Sequence, residues 1–248
     1  MSQPEVAYLD VAGRSIAYKL RSGQEPTLVF LPGYASDMEG TKAVALDGFA
    51  SRRGQALLRL DYSGTGSSGG EFAHGTLGLW LEEALVAVDQ LTPGPLVLVG
   101  SSMGGWIALH LALLRPDRVR ALVGVAVAPD FTEWGFTDEQ KAELDARGRV
   151  EEPNPHGPEP QLFTRDFWNS GQRLLLLDQQ IAIDCPVRLV HGERDQDVPL
   201  DVAFRTMRRL CSSDVQLVTL KGASHRLSEP REVDTILRIV AGLLEPAP

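Results

Sequence analysis

One short stretch constrains the fold more than any other part of the chain. Residues 96–99 form an apolar run typical of a buried strand, and residues 103–114 form a mostly apolar run typical of a helix. The turn between them carries the pattern G-x-S-x-G, centred on Ser102. A serine on so sharp a strand-to-helix turn has a strained backbone and an exposed hydroxyl, and small flanking residues let the strand and helix approach each other. The stretch therefore predicts an α/β sheet with Ser102 as a nucleophile.

A second glycine-rich stretch fits two patterns without the same context. Residues 66–70 repeat G-x-S-x-G around Ser68, and residues 64–69 fit the dinucleotide pattern G-x-G-x-x-G. A dinucleotide site needs a helix that begins inside the glycine loop, so that its N-terminus meets the phosphates. Here the next helical periodicity begins near Thr76. We therefore expect neither a nucleotide site nor a second nucleophile in this stretch.

Strand-like and helix-like stretches alternate along most of the chain. This alternation predicts an α/β fold with a mostly parallel, doubly wound sheet. Residues 6–9 and 15–18, joined by a turn at residues 12–13, predict an antiparallel N-terminal hairpin at the sheet edge. In open α/β sheets the site lies at the carboxyl ends of the strands, so catalytic groups are expected in the loops that follow them.

The regular alternation stops in one region. Residues 137–140 resemble a capping box that starts a short helix, and residues 163–177 favour another helix. The proline-rich residues 151–160 can form neither a helix nor a central strand. We expect two parts: an α/β core of residues 1–128 and 183–248, and a small cap insertion of residues 129–182.

A serine nucleophile needs a histidine base, and that base needs an acid to fix its tautomer. His225 follows the strand-like residues 215–220 and lies in a loop, which is the position expected of the base. Of the other four histidines, His110 lies inside a helix, His74 and His156 lie in loops without a preceding strand, and His191 lies at the end of a strand.

Several carboxylates compete for the role of the acid. Asp195 lies four residues after His191, and Ser102, Asp195 and His225 follow each other in the chain order expected for this architecture. Asp197 is the main alternative in the same loop, which also contains Glu193, and Asp130 follows another strand. Asp195 is the preferred acid at this point.

An oxyanion intermediate needs two backbone N–H groups. Met103 directly follows the nucleophile and supplies one of them. The other is expected from the turn after residues 27–31, and Tyr34 behind Pro32-Gly33 is the best candidate. The N-terminus of the helix behind Ser102 adds positive potential for the same anion.

Four segments together resemble the serine α/β-hydrolase family over nearly the whole chain: residues 30–34, 61–68, 100–106 and 191–199. The resemblance implies the α/β-hydrolase fold, places the acid of the family pattern G-x-x-D-x-x-V-P on Asp195 and places the final histidine on His225. Within the family, residues 38–43 and 100–106 are similar to the mitochondrial acyl-protein thioesterases that also cleave acyl glucuronides, and to their bacterial relatives.

These observations predict a serine esterase or thioesterase. We expect it to cleave carboxylic esters or thioesters of small to medium acyl groups through an acyl-enzyme, without a cofactor or metal. The same residues would also suit an acyltransferase, a perhydrolase or a C–C hydrolase. A non-catalytic ligand-binding protein on this fold is a further alternative.

The expected cap is rich in aromatic residues in a chain with only 6% of them. They either pack the cap onto the core or line an apolar acyl pocket. Arg226, next to His225, is a candidate contact for an acidic leaving group. The candidate substrate-binding residues are Trp134, Phe136, Phe163, Phe167, Trp168 and Arg226.

Composition limits the partners and predicts a location. The net charge of −9 argues against nucleic acid or an anionic membrane as the main partner. No apolar run approaches the ~20 residues of a membrane span. Two cysteines form no disulfide framework, and the N-terminal residues lack the features of a signal or transit peptide. We therefore expect a cytoplasmic protein with a small-molecule substrate, whose oligomeric state stays open.

Overall fold

An eight-stranded sheet forms the centre of the protein. A computed structural model describes residues 3–154 and 160–245 of the chain. The strands of the described residues, in chain order, are β1 Ala7–Val11, β2 Arg14–Arg21, β3 Gln24–Leu31, β4 Gln55–Leu60, β5 Leu96–Ser101, β6 Val119–Val125, β7 Arg149–Glu152, β8 Gln161–Thr164, β9 Val187–Gly192 and β10 Val215–Leu220. Strands β7 and β8 form a separate two-stranded sheet, and the other strands form the central one.

The sheet order is β1-β2-β4-β3-β5-β6-β9-β10. β1 and β2 form an antiparallel hairpin, and β2 runs antiparallel to β4. The remaining neighbours in this sheet pair in parallel. This arrangement confirms the predicted mostly parallel sheet with an N-terminal antiparallel hairpin. Because these strands are parallel, the loops after β3, β5, β9 and β10 meet at one edge.

Helices cover both faces of the sheet. They are α1 Thr41–Arg53, α2 Leu77–Leu91, α3 Met103–Leu114, α4 Phe131–Trp134, α5 Asp138–Arg147, α6 Arg165–Gln172, α7 Leu200–Arg209 and α8 Pro230–Leu244. Side chains of α1 and α8 belong to the core on one face, and those of α2 and α3 belong to the core on the other.

The central strand β5 shows why its sequence is apolar throughout. Leu96 and Leu98 pack into one core, while Val97 and Val99 pack into the other. Successive side chains of a strand point to opposite faces, so a strand covered on both sides needs apolar residues at every position. The strand therefore holds its carboxyl end, and the turn that follows it, in a fixed place.

Several short elements lie between β6 and β9. The predicted capping box is confirmed, because the Thr137 and Gln140 side chains each accept a hydrogen bond from the other residue's backbone N–H. The predicted helix over residues 163–177 is wrong at both ends, since Phe163 belongs to β8 and α6 ends at Gln172. The side chain of Thr164 caps α6 by accepting from the Phe167 N–H at 3.1 Å, so the helix begins only after it.

A small hairpin in this region was not predicted. β7 and β8 pair antiparallel, and Val150 of the otherwise polar β7 is buried. Of the proline-rich residues 151–160, Glu151 and Glu152 end β7, and residues 155–159 lie outside the described part of the chain. The division into a core and a cap at residues 129–182 stays a prediction. No helix within residues 3–154 and 160–245 combines the length and apolar character needed to cross a membrane.

Candidate active site

Ser102 lies on the turn between β5 and α3 with an unusual backbone. Its φ is +53° and its ψ is −118°, a conformation that costs a residue with a side chain about 1–3 kcal/mol. The surrounding backbone holds it there: the Ser102 N–H donates to the Val125 carbonyl at 2.8 Å, and its carbonyl accepts from Gly105 at 2.9 Å. The sharp turn expected around G-x-S-x-G is therefore present.

The glycines of this turn are required by close approach. A Cβ at Gly100 would overlap the backbone of Gly104, and a Cβ at Gly104 would overlap the carbonyl of Leu31. Larger residues at these positions would push α3 away from β5 and β3. The two glycines thus set the position of the Ser102 side chain relative to the loop after β3.

Three predicted residues from three loops meet at the carboxyl edge of the sheet. Ser102 Oγ lies 3.1 Å from His225 Nε2, and His225 Nδ1 lies 2.8 Å from Asp195 Oδ2. An ionised carboxylate only accepts hydrogen bonds, so Nδ1 carries the proton and Nε2 is free to accept from the serine hydroxyl. This arrangement has the hydrogen bonds that a general-base mechanism needs.

Asp195 is held firmly in its loop. Its side chain is 1% exposed, and its Oδ1 accepts from the N–H groups of Val198 at 2.8 Å and Asp197 at 3.0 Å. Burial raises the pKa of Asp195, but the hydrogen bond and charge of His225 together with the Val198 N–H outweigh burial, and the pKa lies below its usual value. The carboxylate is therefore ionised at neutral pH.

His191 contacts the loop that carries Asp195. Its Nε2 faces the Val198 carbonyl at 2.9 Å and Asp195 Oδ2 at 3.4 Å. Burial lowers the pKa of His191 despite the Val198 carbonyl and the Asp195 charge, so the ring is neutral at neutral pH and donates from Nε2. Glu193 accepts from the Gly222 N–H at 2.8 Å and joins the loop to the one that carries His225. The sequence placed His191 at the end of a strand and did not indicate this support.

The other candidate acids and bases have different surroundings. Asp130 is buried, and its carboxylate accepts from the backbone of Leu176 and Leu177. His110 Nε2 contacts the Leu174 carbonyl. Asp197 is exposed at the mouth of the site, and His156 lies outside the described residues.

Asp195, Asp197 and His225 are also the one group in residues 3–154 and 160–245 with the spacing of metal ligands. Their ligand atoms lie within 4.8 Å of one another. A metal ion there would have to replace the hydrogen bond between Asp195 and His225. The donor set therefore suits proton transfer better than metal binding.

Two backbone N–H groups are available beside Ser102. Within the described residues, the N–H groups of Tyr34 and Met103 have no hydrogen-bond acceptor. Gly33 brings the loop after β3 close to the serine, since a Cβ there would lie 3.4 Å from Ser102 Cβ. The predicted oxyanion donors thus stay unpaired and border the serine.

The serine of the second G-x-S-x-G pattern is fully engaged in structure. The Ser68 hydroxyl accepts from the Ala17 N–H and donates to the Asp61 carbonyl, both at 2.7 Å. Neither partner is a base. The contrast with Ser102 agrees with the expectation that Ser68 has a structural role.

A cavity of about 480 Å³ opens onto Ser102 and His225. Of the six candidate substrate-binding residues, Trp134, Phe163 and Arg226 line it. The remaining three do not line it and instead belong to the hydrophobic core or pack against it: Phe136, Phe167 and Trp168. Phe131, a further aromatic residue of the insertion, and Tyr34, predicted only as an oxyanion donor, also line the cavity.

Known proteins resemble this chain in sequence and in structure. The mitochondrial palmitoyl-protein thioesterase ABHD10 of Homo sapiens is 37% identical over 235 residues, which cover 93% of this chain and 77% of that protein. A putative hydrolase from Agrobacterium vitis S4 superposes with a TM-score of 0.92 at 38% identity, covering 97% of this chain and 99% of that one. Mouse alpha/beta hydrolase domain-containing protein 10 gives 0.91 at 35% identity, with 97% and 98% covered.

These relatives correct the predicted location. The cytoplasmic prediction is wrong, because the human and rat thioesterases that the chain resembles are mitochondrial. Few cysteines indicate a compartment in which thiols stay reduced. That criterion does not separate one such compartment from another.

The family assignment rests on sequence and structure together. Residues 26–164, more than half of the chain, match the family model described as alpha/beta hydrolase fold. The sheet order and the two similar solved structures agree with that match. The chain is a hydrolase that belongs to the α/β-hydrolase family.

Proposed function

We propose that this protein hydrolyses carboxylic esters or thioesters of small to medium acyl groups through an acyl-enzyme formed on Ser102. The observation that carries the proposal is the hydrogen-bonded line from Ser102 Oγ through both ring nitrogens of His225 to Asp195. Similarity to a palmitoyl-protein thioesterase supports thioesters as one substrate class.

The first half of the reaction forms the acyl-enzyme. His225 Nε2 takes the proton of the Ser102 hydroxyl while Oγ attacks the acyl carbon. The carbonyl π electrons move onto oxygen, and the N–H groups of Tyr34 and Met103 stabilise this oxyanion. The C–O or C–S bond then breaks, and the proton on Nε2 passes to the departing alcohol or thiol.

The second half returns the enzyme to its starting state. His225 takes a proton from water, and the resulting hydroxide oxygen attacks the acyl carbon. The bond to Ser102 Oγ breaks, and Oγ regains the proton from Nε2. Asp195 stays ionised throughout and stabilises the imidazolium that forms in each half.

The two sides of the cavity differ in character. Phe131, Trp134 and Phe163 form an apolar wall, which suits the acyl chain. The leaving-group atom must lie near His225 Nε2, so the leaving group extends past Arg226, the next residue in the chain. Arg226 is exposed and lines the cavity, and we assign it to contacts with an acidic leaving group.

Residues 129–182 act as the cap in this proposal, since α4 and β8 supply the apolar wall. Each methylene that enters the pocket adds at most ~0.8 kcal/mol of transfer free energy. The specificity constant kcat/KM should therefore rise with acyl length until the chain reaches the end of the wall. Because the relatives are palmitoyl-protein thioesterases, the series of acyl lengths to be tested must extend to palmitoyl.

The proposal is tested with p-nitrophenyl esters and acyl thioesters on the wild type, Ser102→Ala and Ser68→Ala. Ser102→Ala should lose about 10³-fold or more in kcat at unchanged fold, as expected for a nucleophile. Ser68→Ala removes the same atom from the matched pattern and should keep kcat, although it loses two hydrogen bonds. Substantial activity in Ser102→Ala, or a comparable loss in Ser68→Ala, would contradict the proposal.

A further inference from the structure

The Tyr34 side chain joins the turn after β3 to the hairpin β7–β8. We call residues 33–36 the oxyanion turn, because the Tyr34 N–H is a proposed oxyanion donor. The Tyr34 hydroxyl donates to the carbonyl of Leu162 in β8. Burial raises the pKa of the Tyr34 phenol well above its usual range, so the hydroxyl keeps its proton and remains a donor.

The Tyr34 ring is packed from several directions. It stacks on Phe163 of β8 with centroids 4.9 Å apart and an interplanar angle of 17°. Phe167 of α6 meets the ring at 4.8 Å in an edge contact, and Phe72 of the core meets it at 5.1 Å. Such offset and edge contacts have defined geometry. Together with the hydrogen bond to Leu162, they leave the side chain a single position.

The backbone of the oxyanion turn is strained. Ala35 has φ +53°, a left-handed conformation that is unfavourable for a residue with a Cβ. A single hydrogen bond closes the turn, from the Ser36 N–H to the Gly33 carbonyl at 3.2 Å. Strained residues of this kind persist where the surrounding structure holds them. The Tyr34 side chain, one residue before Ala35, joins this turn to Leu162 and Phe163 of β8.

We propose that the Tyr34 side chain is a positioning group, whose bond to the Leu162 carbonyl fixes the oxyanion turn and directs the Tyr34 N–H toward Ser102. The hairpin β7–β8 then controls how well the oxyanion is stabilised, in addition to covering the cavity. This inference rests on the proposed function. It assigns the side chain of Tyr34 a task separate from that of its backbone.

A simpler role for the same side chain is as part of the wall of the acyl pocket. The two roles differ in what they change. A wall contact acts on substrate and transition state alike, so its loss raises KM and leaves kcat unchanged. A misplaced oxyanion donor acts only where the negative charge develops, so its loss lowers kcat and leaves KM unchanged.

The test is Tyr34→Phe with Tyr62→Phe as a matched control. Both variants remove one phenolic oxygen from a packed ring, but the buried Tyr62 hydroxyl has no hydrogen-bond partner among the described residues. Tyr34→Phe should lower kcat by about tenfold or more at unchanged KM, since full loss of an oxyanion donor costs about 10²–10³-fold. An arylboronic acid forms a tetrahedral adduct with the serine hydroxyl. Its inhibition constant should rise by the same factor. Tyr62→Phe should stay within about twofold of the wild type in both measurements.

A second variant approaches the contact from the hairpin. Phe163→Leu loosens the ring stack without touching the hydroxyl, so we expect a smaller decrease in kcat and a rise in the boronate constant by that same smaller factor. Unchanged kcat in Tyr34→Phe, or a rise in KM alone, would overturn the inference. An equal loss in Tyr62→Phe would overturn it as well, because the effect would then be general loosening. If Ser102→Ala remained active the proposed function itself would fail, which is a separate result.

Discussion

Replacing Asp195 by asparagine is the sharpest perturbation of the proposed mechanism. The substitution keeps the shape of the side chain but removes its charge. Asp195 Oδ2 lies 2.8 Å from His225 Nδ1, and its Oδ1 accepts two backbone N–H groups. Since the oxygen of the amide is needed by those backbone donors, its NH₂ would face His225. The histidine would then carry its proton on Nε2 and could not accept from Ser102.

The size of the effect follows from the geometry. In the transition state His225 is positively charged, and two unit charges 2.8 Å apart at an effective dielectric constant of 20 interact with about 6 kcal/mol. The His225 and Asp195 side chains are 16% and 1% exposed, so solvent screens this pair little. At 1.36 kcal/mol per tenfold in rate, Asp195→Asn should lower kcat by about 10⁴-fold.

Asp197→Asn is the matched control, because it makes the same change two residues further on. Asp197 is exposed, and exposed charges contribute about 0–1 kcal/mol, so kcat should change by less than about tenfold. Steady-state kinetics on a p-nitrophenyl ester measure both variants, and their melting temperatures exclude unfolding as the cause. Equal losses, or a larger loss in Asp197→Asn, would refute the assignment of Asp195 as the acid.

Three further variants and one labelling experiment test other parts of the proposed mechanism and fold. Phe167→Ala should lower the free energy of unfolding, measured with urea, by about 3–5 kcal/mol because the ring is buried. Trp134→Ala at the cavity wall should instead change how kcat/KM depends on acyl length in an acetyl-to-palmitoyl series. A change in acyl-length dependence for Phe167→Ala with a loss of stability for Trp134→Ala would contradict the proposed wall. Asp130→Ala leaves two buried N–H groups without an acceptor and should cost about 2–5 kcal/mol, with kcat retained in the folded fraction; a stability equal to the wild type would contradict this. Burial and the Arg226 charge lower the pKa of Lys42 to about 8, so its neutral amine forms as the pH rises through 8 instead of ~10.4. Acetylation at pH 8, followed by peptide mapping, should therefore modify Lys42 faster than the other lysines. Equal rates of acetylation would contradict the lowered pKa.

The buried framework could be predicted from the sequence because its signals are strong. Strand β10 and helix α3 have the predicted bounds. Helix α3 is a mostly apolar run that ends shortly before Pro116, and β10 is rich in β-branched and apolar residues. The strand-to-helix turn at Ser102 was predictable for a similar reason, since its glycines are needed by backbone contacts that only small residues allow.

The site was predictable only as far as strand ends could locate it. Spacing assigned an acid to the loop after β9, but Asp195 and Asp197 share that loop, and only three-dimensional structure shows which one reaches His225. The hairpin strand β7 was missed because Val150 is its only buried residue. The contact from Tyr34 to Leu162 joins residues 128 positions apart, and no local pattern reports a pairing of that kind.

The aromatic residues of the insertion show a further limit of sequence reasoning. Phe163 lines the cavity, whereas Phe167 packs beneath the Tyr34 ring. Both are phenylalanines in one short segment, and their roles differ because β8 ends and α6 begins between them. Burial of an aromatic side chain was predictable from its type, but the surface that it faces was not.

The central claim is that the acyl group is carried by Ser102. The most direct measurement is rapid quenching of the wild type during turnover of an acyl thioester, followed by proteolysis and mass spectrometry of the peptides. We expect one added acyl group, located on Ser102 and absent from Ser102→Ala. An acyl group on Ser68 or Ser101, or turnover without any acylated peptide, would contradict it.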